Sequence, residues 1–270
     1  MCSQFRTAFF MVTLSLVGLG LPLVAASNEQ MVGVVIMHGK GGSPNRHVSD
    51  LARTLKDTGF LVANIEMPWS GNRNYDVGVS DAENEVETAI SDLRSKGAKK
   101  IFVAGHSQGG VFALHFAGDH RPDGIIAIAP GGNVGSNNFR EKLGNSVERA
   151  KQLVADGKGN EKTRLSDFEG KKGVYPIVTA PLIYLTWFAP DGAMNIRRAA
   201  QEANPEIPIL WIVAKHDYPG LRKANIPLFD MLPENPNKRL FEPNSDHFDA
   251  PSASAEEIVR WISQVVGTRR

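Results

Sequence analysis

Short, almost wholly apolar runs recur along this chain, and between them lie segments with helical spacing. "MVGVVIMH" (31–38) holds no charged or polar side chain before His38, so a strand made from it must be covered on both faces. A helix-like "HVSDLARTLKDTG" follows and ends at Gly59, and "FLVANIEM" (60–67) is the next strand. "SDAENEVETAISDLRSKG" (80–97) opens with Ser80 and Glu83 in capping-box spacing and closes on Gly97. Further strands are expected at "IFVAG" (101–105), "GIIAIAP" (124–130), "IPILWIVA" (207–214) and "KRLFEP" (238–243). A last helix runs from near Ser254 through Trp261 towards Gly267. This alternation predicts an α/β fold, a mainly parallel twisted sheet of about six strands flanked by helices.

One stretch breaks the rhythm. Residues 131–204 are too long for a simple crossover and read as an insertion over the sheet, a lid. They end in an apolar aromatic patch, "VYPIVTAPLIYLTWFAP", whose Tyr184 and Trp187 are expected either to line a substrate pocket or to fill the core of the insertion. The start of the chain reads differently again. Arg6 is followed by an apolar stretch that ends at Val24-Ala25-Ala26, the small-residue pattern of a secretory signal peptide over residues 1–26. An uncleaved anchor is the rival reading, since about 20 apolar residues can span a bilayer. Glycines, Pro22 and the small residues favour cleavage, which leaves a domain over residues 31–270 with no stable membrane span. The expectation is an exported protein, periplasmic or extracellular.

Composition narrows the partners. The chain has 270 residues and a formal net charge of +1, with no long run of one sign, so neither nucleic acid nor an anionic membrane surface is indicated. Cys2 is the only cysteine and lies in the leader, so the mature chain would have no thiol for a disulfide, a thiolate metal site or a nucleophile. No H-E-x-x-H and no other metal-ligand spacing is visible, and no cofactor is implied.

The chemistry is written around residue 107. Gly105-His106-Ser107-Gln108-Gly109 is a G-x-S-x-G between a predicted strand and a predicted helix. Such a turn is sharp, needs small flanking residues, and lifts the serine Oγ above the sheet. A serine at its normal pKa is a poor nucleophile and needs a base oriented by a carboxylate. On a parallel sheet these come from loops at the carboxyl ends of later strands, acid first and then histidine. Asp217 in "KHDYPG" follows one strand and His247 in "NSDHFDAP" follows the next. Weaker candidates are His47, expected to begin a surface helix, His106, packed beside the turn, and His115, His120 and His216, with Asp191, Asp246 and Asp249 as other acids.

"MHGKGGSP" (37–44) supplies a further piece. Its glycines let the backbone approach a substrate, and an N–H from Gly39, Lys40 or Gly41, Lys40 first, would face an oxyanion together with the Gln108 N–H. The spacings of phosphate-cradling loops are absent. "EMPWSGNRNYD" (66–76) lies on the same side; Trp69 and Tyr75 could wall a pocket and Arg73 could bind a carboxylate or phosphate, or the segment is a solvated loop with two packed aromatics.

On "HGKGG", "GHSQGG", "KHDYPG" and "SDHF", the sequence resembles the α/β-hydrolase superfamily from Met31 to about Val266. The resemblance implies a Ser107-Asp217-His247 triad. The family commonly has two strands before the one that carries the HG motif, and this chain is expected to hold a reduced sheet without them. The activity implied is hydrolysis of a small-molecule carboxylic ester, thioester or amide through an acyl-enzyme. An acyltransferase with the same triad, or a non-catalytic binding protein on this fold, are the alternatives.

Overall fold

The computed structural model describes Met1, residues 31–170 and residues 172–268. The expected signal peptide, beyond Met1, lies outside the described residues. The first half of the chain runs β1 (Val32–Met37), α1 (Ser49–Asp57), β2 (Leu61–Ile65), α2 (Val79–Ser95), β3 (Lys100–His106), α3 (Gln108–Asp119) and β4 (Gly124–Ile128). Next come α4 (Asn137–Ala155), an antiparallel hairpin of β5 (Thr163–Glu169) and β6 (Gly173–Thr179), α5 (Pro181–Phe188) and α6 (Ile196–Glu202). The sheet resumes with β7 (Ile209–Ile212), then α7 (Pro219–Phe229), β8 (Arg239–Phe241), α8 (Ala250–Ala253) and α9 (Ala255–Thr268).

Six parallel strands form the main sheet in the order β2-β1-β3-β4-β7-β8. The chain winds outward from β1 in both directions, so the loops that leave β1 and β3 part at their carboxyl ends and open a crevice there. Alternate residues of β1 face opposite ways. Val34 and Ile36 pack with Leu51, Leu55, Ile258 and Trp261, whereas Val35 and Met37 pack with Val86, Ile90, Phe112 and Phe116. Each fully buried side chain of this kind contributes about 1.5–3 kcal/mol. That double-sided burial is why the strands read as unbroken apolar runs.

One local expectation is corrected. α2 does not open on a Ser80 capping box: Gly78 is its N-cap, and the Val79 N–H donates to Thr186 Oγ1 of α5 at 3.2 Å. A tertiary partner therefore satisfies the end that a local side chain was expected to cap. The last helix, expected from near Ser254, is α9, and Ser254 separates it from the short α8. Among the described residues, no helix is long and apolar enough to cross a membrane.

Candidate active site

The turn after β3 holds Ser107 at φ 54°, in the left-handed region that costs a non-glycine residue. Close packing explains the flanking glycines. A Cβ on Gly105 would lie 2.0 Å from the Gly109 carbonyl oxygen, and one on Gly109 would lie 2.7 Å from that of Met37. The Ser107 N–H donates to the Ile128 carbonyl at 2.8 Å and anchors the turn to β4.

Two loops bring partners to the hydroxyl. His247, past β8, stands with Nε2 3.1 Å from Ser107 Oγ and Nδ1 2.9 Å from Asp217 Oδ1, past β7. A carboxylate only accepts, so His247 carries its proton on Nδ1, and Nε2 is left to accept from the serine. The Tyr218 N–H donates to the same Asp217 oxygen at 2.7 Å and fixes the carboxylate. His247 and Asp217 are both buried. Such a relay can withdraw the serine proton as Oγ attacks an electrophilic carbon.

The loop after β1 reaches the nucleophile from the other side. A Cβ on Gly39 would sit 3.1 Å from Ser107 Cβ, so any larger residue would push the loop and the nucleophile apart by a few tenths of an ångström. His38 locks the loop: its Nε2 accepts from the Met67 N–H at 3.0 Å and its Nδ1 lies 2.8 Å from the Gly39 carbonyl. Burial holds His38 below the ordinary histidine range, which keeps Nε2 free to accept. The Gly41 N–H donates to the Trp69 carbonyl at 2.8 Å, which removes Gly41 from the three candidate oxyanion donors. Gln108 is the first residue of α3, where the N–H has no intrahelical acceptor.

The other histidines are engaged elsewhere. His106 Nε2 bonds the His247 carbonyl at 2.8 Å, and burial pushes His106 down to about 3. His115 and His120 pair with Glu83 and Glu87, and His216 with Asn244. His47 does not begin α1; it takes a left-handed backbone at φ 56° and stacks on Phe248 at 4.6 Å between centroids. Asp246 accepts from the Phe248 and Asp249 N–H groups and shapes the turn.

The expected substrate-binding residues are where the structure departs from the sequence reading. Trp69, Tyr75, Tyr184 and Trp187 are buried in the core, packed on one another and on Phe112 and Phe188 rather than walling a pocket. Their area is worth more against each other than at a solvent-filled wall. Arg73 is spent on Glu85, at 2.6 and 2.7 Å, and on Asp76, and these partners raise its pKa further. Among the described residues, two concavities stand elsewhere. An apolar cavity of about 230 Å³ lies along α4, lined by Val134, Phe139, Leu143, Val147, Phe188 and Pro190 with Arg140 and Lys151 at its edge. An open groove of about 470 Å³ runs past Asp217 between Lys215, Arg222 and Lys223.

A strained serine between a parallel strand and a helix, with an acid and a histidine from later strand ends, defines an α/β-hydrolase of the serine class. A family model described as "Serine aminopeptidase, S33" matches residues 29–242, and the chain belongs to that family; it is a serine hydrolase. The search of curated proteins found no match. Solved structures with a similar fold include Est1E from Butyrivibrio proteoclasticus with ferulic acid bound (16% identity, 90% of this chain and 92% of that one, TM-score 0.58). A monoacylglycerol lipase from Paleococcus ferrophilus is similar at 22% identity over 87% and 94% of the two chains, TM-score 0.59. A monoglyceride lipase from Saccharomyces cerevisiae is similar at 16% identity over 89% and 88%, TM-score 0.60.

Proposed function

We propose that this chain is an exported serine hydrolase that cleaves small-molecule carboxylic esters through an acyl-enzyme intermediate. The observation that carries the reading is the continuous relay from Asp217 Oδ1 through His247 to Ser107 Oγ. Ser107 Oγ attacks the ester carbon while its proton passes to His247 Nε2. The resulting oxyanion is held by the Gln108 and Lys40 N–H groups, and His247 protonates the departing alkoxide as the C–O bond breaks. Water then attacks the acyl-enzyme, gives its proton to His247, and the proton returns to Ser107 Oγ. Asp217 holds the imidazole in the required tautomer and stabilises its charge.

The cavity along α4 supports an acyl group as the ligand. Phe139 and Phe188, which line it, also flank Lys40 Nζ at 5.5 and 5.7 Å, so the cavity adjoins the oxyanion loop. The lining residues all belong to 131–204, so on this reading the inserted lid itself carries the acyl pocket. An aminopeptidase needs a carboxylate for the substrate ammonium, and Glu148 on this rim is paired with Lys151 at 2.8 Å. Residues 1–26 are the proposed cleaved leader, and the N-terminus of secreted protein tests that directly.

Fluorophosphonate labelling of the purified protein, with Ser107→Ala as control, tests the nucleophile. Labelling that vanishes in the variant, with faster turnover of p-nitrophenyl esters than of aminoacyl-p-nitroanilides, supports the esterase. Turnover confined to the anilides would assign amide cleavage instead, and no labelling of folded protein would refute the hydrolytic role of Ser107.

A further inference from the structure

We propose that Asp167, on the hairpin inserted between β4 and β7, is a positioning residue that sets both oxyanion donors. The proposal rests on the assignment of the Lys40 and Gln108 N–H groups as those donors.

Its carboxylate is fully buried and gathers groups from four parts of the chain. Lys40 Nζ donates to Oδ1 at 2.5 Å, as does the Phe168 N–H at 2.6 Å. The Tyr175 hydroxyl donates to Oδ2 at 2.7 Å and the Tyr75 hydroxyl at 3.1 Å. Tyr75 Oη lies 3.3 Å from Gln108 Oε1, so its hydroxyl is shared between Asp167 and the residue after the nucleophile. The side chains of both proposed donor residues thus end, directly or through one phenol, on the same carboxylate.

The loop sequence makes this tether consequential. Between His38 and Ser43 the residues are Gly39, Lys40, Gly41 and Gly42, so Lys40 has the only side chain by which that stretch can be held. Gly41 adopts φ +61°, which glycine permits, and main-chain bonds from the Gly41 N–H to the Trp69 carbonyl and from the Gly42 N–H to the Gly39 carbonyl shape the loop, to which the Lys40 side chain adds its tether. The Lys40 side chain is only 11% exposed and sits beside the rings of Phe139 and Phe188. Without Asp167 its ammonium would keep the Phe168 carbonyl, at 3.2 Å, but lose its counter-charge, and it would swing towards water and pull on the Lys40 peptide. An oxyanion donor works only when it is preorganised at hydrogen-bond distance from where the charge develops. The hairpin also braces the second arm. Thr179 Oγ1 donates to the Tyr75 carbonyl at 2.6 Å, and Asn74 and Tyr75 are both held in left-handed backbone, at φ 53° and 56°.

The test compares wild type with Asp167→Asn, Lys40→Met and the double variant. Turnover of p-nitrophenyl acetate, melting temperature and the pH profile of kcat/KM are measured for each. Asp167→Asn is expected to lower kcat by about 10- to 100-fold, less than or equal to the loss of a whole oxyanion donor. KM should stay within about threefold, and the pH profile should keep its shape because His247 and Asp217 are untouched. The double variant should be no more than about threefold below the worse single one, because both residues act on the same loop. Should a single variant fail to fold, the double variant, which leaves no unpaired charge, and Tyr175→Phe give the same readings. A folded Asp167→Asn protein with kcat within twofold of wild type, even at a reduced melting temperature, would make Asp167 a structural brace only and overturn the proposal. Multiplying losses in the double variant would overturn it too. Wild type that is not labelled at Ser107 would instead refute the hydrolase reading, a separate outcome read in the same preparation.

Discussion

His106 Nε2 bonds the backbone carbonyl of His247 at 2.8 Å, so the residue before the nucleophile holds the loop that carries the base. A carbonyl only accepts, so His106 keeps a proton on Nε2, and burial, which pushes it down to about 3, keeps the ring neutral. The two imidazoles are 4.9 Å apart between centroids, and a charged His106 would oppose the imidazolium that His247 becomes during turnover.

That neutrality predicts a pH-dependent stability. Burial is the main cause that pushes His106 from 6.5 down to about 3, so between those values the unfolded chain binds a proton that the folded one refuses. Stability from this group is complete above about pH 6.5 and is lost as pH falls towards about 3, at up to about 1.4 kcal/mol per pH unit. His38, also pushed down by burial, adds in the same direction. Urea midpoints measured from pH 7 to pH 4 should fall, and more steeply for wild type than for His106→Gln. Equal slopes would show that His106 is not the group responsible.

Asp217→Asn is expected to lower kcat by about 10³- to 10⁴-fold with little change in melting temperature. The amide would favour the tautomer that leaves Nε2 protonated and unable to accept from Ser107. Asp249→Asn, in the same base loop but with its side chain outside the relay, should stay within about threefold of wild type. Equal losses in steady-state assays of the two would place the orienting acid elsewhere.

Gly109→Ala is expected to destabilise the fold by at least about 3 kcal/mol, because the added methyl meets the Met37 and His38 carbonyls at 2.7 and 2.8 Å. Gly105→Ala should be worse, with backbone at 2.0 Å. Gly220→Ala, where nothing lies within 4 Å, is the control and should change stability by less than about 0.5 kcal/mol. Thermal unfolding and soluble yield decide the comparison.

Gly144 borders the cavity along α4, with no atom within 4 Å of an added Cβ. Gly144→Leu should therefore fill space that a longer acyl chain would use. The ratio of kcat/KM for p-nitrophenyl octanoate to that for the acetate is expected to fall by about tenfold or more. An unchanged ratio would place the acyl chain outside this cavity.

Several features were readable before any coordinates. All six strands of the main sheet were visible, the inner ones β1, β3, β4 and β7 as apolar runs because burial on both faces leaves few polar positions, and the half-buried edge strands β2 and β8 as shorter apolar patches. α7, with Pro219 at its start and Pro227 within it, was not foreseen, since its helical spacing is short and interrupted. The capping box at Ser80 and the pocket role of Trp69, Tyr75, Arg73, Tyr184 and Trp187 failed for another reason. Each depended on which neighbour the inserted helices and hairpin would bring, and the Thr186 hydroxyl, the aromatic cluster and Glu85 met those groups instead.

By itself, the sequence determined the succession of the six main-sheet strands, the glycine-flanked turn at Ser107, and the placing of Asp217 and His247 just past strand ends. Those are properties of spacing and steric size within a few residues, which local pattern reports directly. Only the tertiary structure decided that Lys40 meets Asp167 across 127 residues and that His106 meets the His247 carbonyl across 141. Buried polar groups must find partners wherever the packed layers bring them, and that choice is made by the whole chain closing on itself.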